Sequence, residues 1–114
     1  MSVVWRGHDT VLDRTVAVKI LASTWAAKPD FRKSIRAEAQ AVARLSHPNV
    51  TSVFDYGESA DDAGGCVPYV VMELLRGELL AGRLAKGPLD PPLAMRVCAQ
   101  VAGALAAAHE EGIV

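Results

Sequence analysis

Between Pro91 and Gly112 the chain is apolar on nearly every side, with Arg96 and Gln100 the only strongly polar residues before His109. Asp90 suits an N-cap, Pro91 the first helical position and Gly112 a C-terminal cap, so the segment predicts one long helix. A helix that is apolar all round has to be enclosed all round. With 114 residues in all, the chain is one domain or part of one, and no other segment is large enough to enclose that helix. Much of the 51% hydrophobic content sits there. The expectation is a sheet-and-helix unit carrying one long helix whose faces remain exposed.

Composition removes several function classes. Twelve Lys and Arg against 13 Asp and Glu give a net charge of −1, which lacks the basic stripe that nucleic-acid phosphates require. Two cysteines, Cys66 and Cys98, supply neither a disulfide framework nor a metal-binding spacing. Early polar residues (Arg6, His8, Asp9) interrupt any secretory signal, and no stretch reaches the roughly 18 apolar residues of a membrane span.

The first part reads as strand (Ser2 to His8), turn (Asp9 to Arg14) and strand (Thr15 to Leu21), the last strongly β-branched. Lys28-Pro29-Asp30 opens a helix to about Leu45, and His47-Pro48-Asn49 stops it. Strands follow at Val50 to Tyr56 and Pro68 to Glu73, joined by a polar hairpin loop from Gly57 to Gly65. A hinge-like stretch leads to a short helix around Glu78 to Ala85, broken by Gly87-Pro88. His8 is expected at the surface near a strand end, His47 in a hydrogen-bonded turn and His109 near a helix C-terminus. Cys98 is expected to be a buried, inert thiol, and Cys66 a loop-end thiol.

Two charges break the pattern around them. In the second strand Val16, Val18 and Ile20 share one face, while Ala17, Lys19 and Leu21 share the other, so Lys19 is a lone charge in a strand that otherwise looks buried. On the following helix Phe31, Ile35, Val42 and Leu45 form one stripe with Glu38 in its middle. Burying either charge alone costs several kcal/mol. Either the two meet, or the lysine snorkels and the helix turns Glu38 to water; pattern alone does not choose.

These residues carry a family resemblance. Val16-Ala17-Val18-Lys19 resembles the V-A-I-K strand of protein kinases, and Glu38 stands where their αC glutamate is expected. Met1-Ser2-Val3-Val4-Trp5 resembles the tail of the Gly-rich loop. Leu45-Ser46-His47-Pro48-Asn49-Val50, Phe54-Asp55-Tyr56-Gly57 and Pro68-Tyr69-Val70-Val71-Met72-Glu73 match the segments that follow αC in order. Gly87-Pro88-Leu89, the long helix and Ala108-His109-Glu110-Glu111-Gly112-Ile113-Val114 resemble the approach to the catalytic loop. Ordered over the whole chain, these segments resemble a bacterial eukaryotic-like Ser/Thr protein kinase.

The resemblance implies an α+β fold. Residues 1–74 would form a kinase small lobe, an antiparallel sheet lacking its first strand plus αC. Residues 75–114 would form the hinge and the first two helices of the large lobe, D and E. It implies transfer of the ATP γ-phosphate to protein hydroxyls, with Lys19 holding the α- and β-phosphates and Glu38 holding the lysine. Val4 and Ala17 would roof the adenine, Met72 would be the gatekeeper, and the backbones of Glu73 and Leu75 would bind the adenine edge. ATP and Mg²⁺ are the implied cofactors and a protein substrate the implied partner. The metal ligands belong to motifs absent from these residues, as do the loop glycines and the H-R-D and D-F-G aspartates. The 114 residues alone are therefore expected to be inactive, a fragment of a cytoplasmic kinase domain whose parents often carry a membrane anchor. The alternatives are a non-catalytic kinase-like interaction module and an unrelated α+β interaction domain.

Overall fold

The computed structural model describes residues 3–21 and 24–114; Met1 and Ser2, which belong to the Gly-rich-loop resemblance, lie outside the described residues. In chain order the elements are β1 (Val3–Asp9), β2 (Arg14–Ile20), α1 (Pro29–Ala43), β3 (Val53–Ala60), β4 (Cys66–Glu73), α2 (Leu80–Ala85) and α3 (Pro91–Glu110). The four strands form one sheet in the order β1-β2-β4-β3, with every neighbouring pair antiparallel.

Strand alternation sorts the sheet into two faces. On one, Lys19 lies opposite Val4 and Val70, and Ala17 lies opposite Arg6 and Met72. On the other are Val16, Val18, Tyr69 and Val71, beneath the β1–β2 turn. The core is thin and built of small side chains: Val16, Ala17, Ala26, Ala39, Val70 and the fully enclosed Pro68. A proline in an inner strand ordinarily forfeits a ladder bond. Here Pro68 lies just beyond the β2 pairing, which ends at Ile20↔Tyr69, and its carbonyl accepts from the Leu21 N–H at 3.0 Å.

The β1–β2 turn is held by one carboxylate. Asp9 Oδ1 accepts from the Val11 and Leu12 N–H groups at 3.0 and 3.1 Å, and Oδ2 accepts from Arg14 Nε at 3.3 Å. Asp13 supplies the left-handed residue of the turn (φ 50°), a conformation that aspartate tolerates better than most. Its Oδ1 accepts from His8 Nε2 at 3.0 Å, so His8 stands at the exposed strand end where the sequence puts it.

Several boundaries differ from the sequence reading. β3 starts at Val53, not Val50, and runs through Gly57 to Ala60, so the hairpin turn shrinks to Asp61–Gly65. Gly57 is a strand residue paired with Tyr69, and the position must be glycine because the Tyr69 ring occupies the space where a Cβ would stand. A bulge between Val53 and Asp55 leaves Phe54 unpaired, and its ring lies 3.8 Å from the Arg14 guanidinium carbon. α2 begins at Leu80, and Glu78 before it pairs with Lys86 at 2.9 Å.

α3 forms as expected, and none of its residues is buried. Met95 is 72% exposed, Leu105 52% and Val101 50%. Its C-terminus closes in a Schellman motif: the Ile113 N–H donates to the Ala108 carbonyl, the Gly112 N–H donates to the His109 carbonyl, and Gly112 takes φ +77°. Asp90 takes the N-cap position without a side-chain cap, contributing only its carbonyl to the Ala94 N–H. Cys98 is exposed, which corrects the buried, inert thiol expected from its place on an apolar helix; the described residues do not wrap that face.

The backbone N–H groups of Leu12 and Val11 and the nearby Arg14 hold the Asp9 carboxyl below its ordinary value, with burial opposing them. A carboxylate with a lowered folded-state pKa stabilises the fold above its unfolded pKa, and that contribution is lost as pH falls through the folded value. Asp9→Ala is therefore expected to lower the thermal midpoint at pH 7. The gap to the native chain should narrow as the pH is taken below about 4. Thermal unfolding followed by circular dichroism across that range checks it; a pH-independent gap would show that the carboxylate charge plays no part.

Candidate functional site

β2, β4, α1 and the start of β3 border a half-open cavity of about 280 Å³, with Lys19, Glu38, Val42, Val53 and Met72 in its lining. The register explains its floor. Lys19 and Met72 point to the same face because Lys19 pairs with Val70, and Ala17, two residues before it, pairs with Met72. Val4, opposite Lys19 on β1, extends that face to the sheet edge and is 59% exposed. The helical stripe supplies the roof, with Ile35, Glu38 and Val42 falling at helical spacing around the buried Ala39.

Lys19, Glu38 and Met72 thus share one cavity, with Ala17 and Val4 on the same sheet face. Lys19 is half-buried and Glu38 is exposed. Among the described residues no ion pair within 4.0 Å joins them. Of the two arrangements left open by the sequence, the helix has turned Glu38 to water, and neither Lys19 nor Glu38 is a fully buried charge that needs compensation.

Glu73 and Leu75 lie at the exit of β4. The Glu73 N–H donates to the Ser52 carbonyl at 3.0 Å and its Oε1 accepts from the Ser52 N–H at 2.9 Å, so this side chain fastens the start of β3. The sequence assigns a role only to the Glu73 backbone; the partner of its carboxylate lies 21 residues away, and no local pattern reveals it. Leu75 lies beyond the strand, 65% exposed. Among the described residues no group of three or more His, Cys, Asp or Glu side chains is placed to hold a metal ion.

A second polar cluster sits at the far edge of the sheet, and the sequence reading missed it. Glu58 on β3 accepts from the Tyr56 hydroxyl at 2.9 Å and from Cys66 Sγ at 3.4 Å, and lies 3.8 Å from Arg32 Nε on α1. Hydrogen bonds from Tyr56 and Cys66 hold the Glu58 carboxyl below its ordinary range, helped by Arg32 and Arg36. Burial, then the Glu58 carboxylate, pushes the Tyr56 phenol up to about 12. Burial, then the Glu58 hydrogen bond, pushes the Cys66 thiol up. The alternation Tyr56-Gly57-Glu58 was the available signal, hidden because that stretch reads as loop. His47 is where it was expected: its Nδ1 accepts from the Asn49 N–H at 3.1 Å in the turn after α1.

A four-stranded antiparallel sheet with one helix against it matches the small lobe of a protein kinase, and two further helices follow its exit strand. The protein kinase domain family matches residues 1–114, and the chain belongs to that family. It is 43% identical over its whole length to the serine/threonine-protein kinase PknA of Mycobacterium tuberculosis, covering 27% of that protein. To PrkC of Bacillus subtilis it is 39% identical over its whole length, covering 17%. A crystal structure of a mutant of the Mycobacterium tuberculosis PknI kinase domain superposes with a TM-score of 0.80 at 28% identity, over 96% of this chain and 43% of that one. The chain thus spans about a quarter or less of the length of these curated relatives.

The two thiols should separate under alkylation at neutral pH, because the thiolate is the reactive species. Cys98 is exposed, whereas Cys66 is partly covered with a raised pKa. Cys98 is expected to label first with a maleimide, and Glu58→Gln should speed labelling at Cys66 alone. Peptide mass spectrometry over a time course reads both rates; faster labelling of Cys66 in the native chain would contradict the assignment.

Proposed function

We propose that these residues form the nucleotide-holding part of a Ser/Thr protein kinase that transfers the ATP γ-phosphate to protein hydroxyls. The observation that carries this reading is the single cavity flanked by Lys19, Glu38 and Met72, in a chain of the protein kinase domain family. Residues 1–74 act as the small lobe, and residues 75–114 as the hinge and the start of the large lobe.

Each residue has a role that its chemistry suits. The Lys19 ammonium is a compact cation able to meet the α- and β-phosphates. Glu38, on the opposite wall of the cavity, orients that ammonium when the two are brought together. Val4 and Ala17 offer apolar surface to the adenine, Met72 limits the depth of the pocket behind it, and the backbones of Glu73 and Leu75 meet its hydrogen-bonding edge. Kinases of this family use ATP with Mg²⁺, which neutralises phosphate charge during transfer. Its ligands are proposed to come from motifs that these residues do not include. The same holds for the aspartate that accepts the substrate proton, so the 114 residues by themselves should transfer no phosphate. The reaction is proposed to run in the cytoplasm, where ATP is available, in a parent protein that can still carry a membrane anchor. No helix among the described residues is long and apolar enough to cross a membrane.

Three experiments test the reading. In a kinase chain containing these residues together with a catalytic loop, Lys19→Met should preserve the fold and cut phosphoryl transfer by about 100-fold or more. Glu38→Gln should lower kcat while leaving the thermal midpoint nearly unchanged. Full activity in Lys19→Met would remove the kinase assignment of the cavity, and normal turnover in Glu38→Gln would remove the pairing. The 114-residue chain with radiolabelled ATP and a basic protein substrate should give background incorporation, and turnover above it would refute the expected inactivity.

A further inference from the structure

α1 bears the Glu38 carboxylate, and its apolar packing is shallow: Ile35 and Val42 line the Lys19 cavity only half-buried. Ala39 is its one buried residue among those described. The groove between α1 and β3 is lined on the helix side by Arg36, Ala39, Gln40 and Ala43, so its apolar part on the helix is two alanine methyls. At the other end of α1 the contact is polar and directional. Arg32 Nη1 donates to the Ala26 and Ala27 carbonyls at 3.1 and 3.0 Å, while its Nε faces Glu58 Oε2 at 3.8 Å. Arg36, one turn along the same face, lines the groove beside Glu58. Glu58 is itself held by the Tyr56 hydroxyl and Cys66 Sγ, so its carboxylate is fixed to the β3–β4 hairpin.

We propose that Glu58 is a positioning residue for the kinase reaction: through Arg32 it fastens the first turns of α1 to β3 and so sets where Glu38 stands relative to Lys19. The proposal rests on the kinase reading only for its catalytic consequence; the fastening itself does not. Six residues separate Arg32 from Glu38, about 9 Å along the axis and about 120° around it. Anchoring Arg32 at β3 therefore fixes both the height and the rotation of the helix at Glu38. The Arg32 bonds to Ala26 and Ala27 tie the segment before α1 into the same clamp.

Hydrogen exchange on the native chain and on Glu58→Gln tests the fastening without any nucleotide. Glu58→Gln should speed exchange of the α1 amides from Lys33 to Gln40 by roughly two- to fivefold, the range expected for a partly exposed ion pair. β2 and β4 amides should be unaffected, and Glu58→Asp should recover part of the protection. Raised salt should speed α1 exchange in the native chain but not in Glu58→Gln. In the kinase chain with its catalytic loop, Glu58→Gln should lower kcat several-fold while the KM for the protein substrate stays constant. Unchanged α1 exchange in Glu58→Gln, or faster exchange spread equally over the sheet, would overturn the clamp. If Lys19→Met kept full activity, the kinase reading would fall while the exchange result still judged the clamp. If Lys19→Met abolished activity and Glu58→Gln changed neither exchange nor kcat, the clamp alone would fall.

Discussion

The register of β2 between β1 and β4 is the constraint from which the rest of the molecule follows. Lys19 stands opposite Val4 on one side and Val70 on the other. Slipping either pairing by one residue would send Lys19, with Ala17 and Leu21, to the outer face beside Tyr69 and Val71 and empty the cavity of its cation. The strand itself resists that slip. Val16 and Ala17 are nearly inaccessible on opposite faces, so a one-residue shift exchanges a valine for an alanine in both layers. That would leave a void on one side and crowding on the other. A core of small residues thus specifies the lysine's position without being large.

The helix over that cavity is specified less firmly. Sequence periodicity puts Ile35, Glu38 and Val42 on one face of α1, and all three line the cavity. Periodicity states which residues share a face; it does not say how close that face comes to the sheet. With alanine at the buried contact, Glu38 remains in water and Lys19 remains half-buried without an ion pair. The contrast is between a charge placed by strand register, which is rigid, and a charge placed by helix docking, which polar contacts at the helix end can adjust.

Legibility from sequence follows the same division. Strand identity, the face of Lys19 and the helix boundaries at Pro91 and Gly112 depend on local chemistry, and they were readable. The extension of β3 through Gly57 was not, since a glycine among polar residues reads as loop; the ring of Tyr69, across the sheet, is what requires that glycine. The Phe54 bulge was hidden for the same reason, because its ring finds Arg14 from a distant part of the chain. Asp90 has the composition of a cap without the hydrogen bond, as Pro91 and the backbone already set the helix start. The Glu58 cluster needed three elements to be brought together before any of its residues looked unusual.

α3 shows how far composition can be carried. An apolar stretch predicts a helix and predicts that the helix needs neighbours, but it does not supply them. The described residues give α3 one partial neighbour, the end of α1 with the turn after it, where Val42, Leu45 and Val50 face Val97, Val101, Ala104 and Leu105. Met95 on the opposite side and Cys98 on the flank remain open. Burial therefore cannot be inferred from the hydrophobicity of a segment alone. It depends on whether the surrounding residues are placed to cover that segment, and in the described structure Met95, Val101 and Leu105 are left half or more exposed.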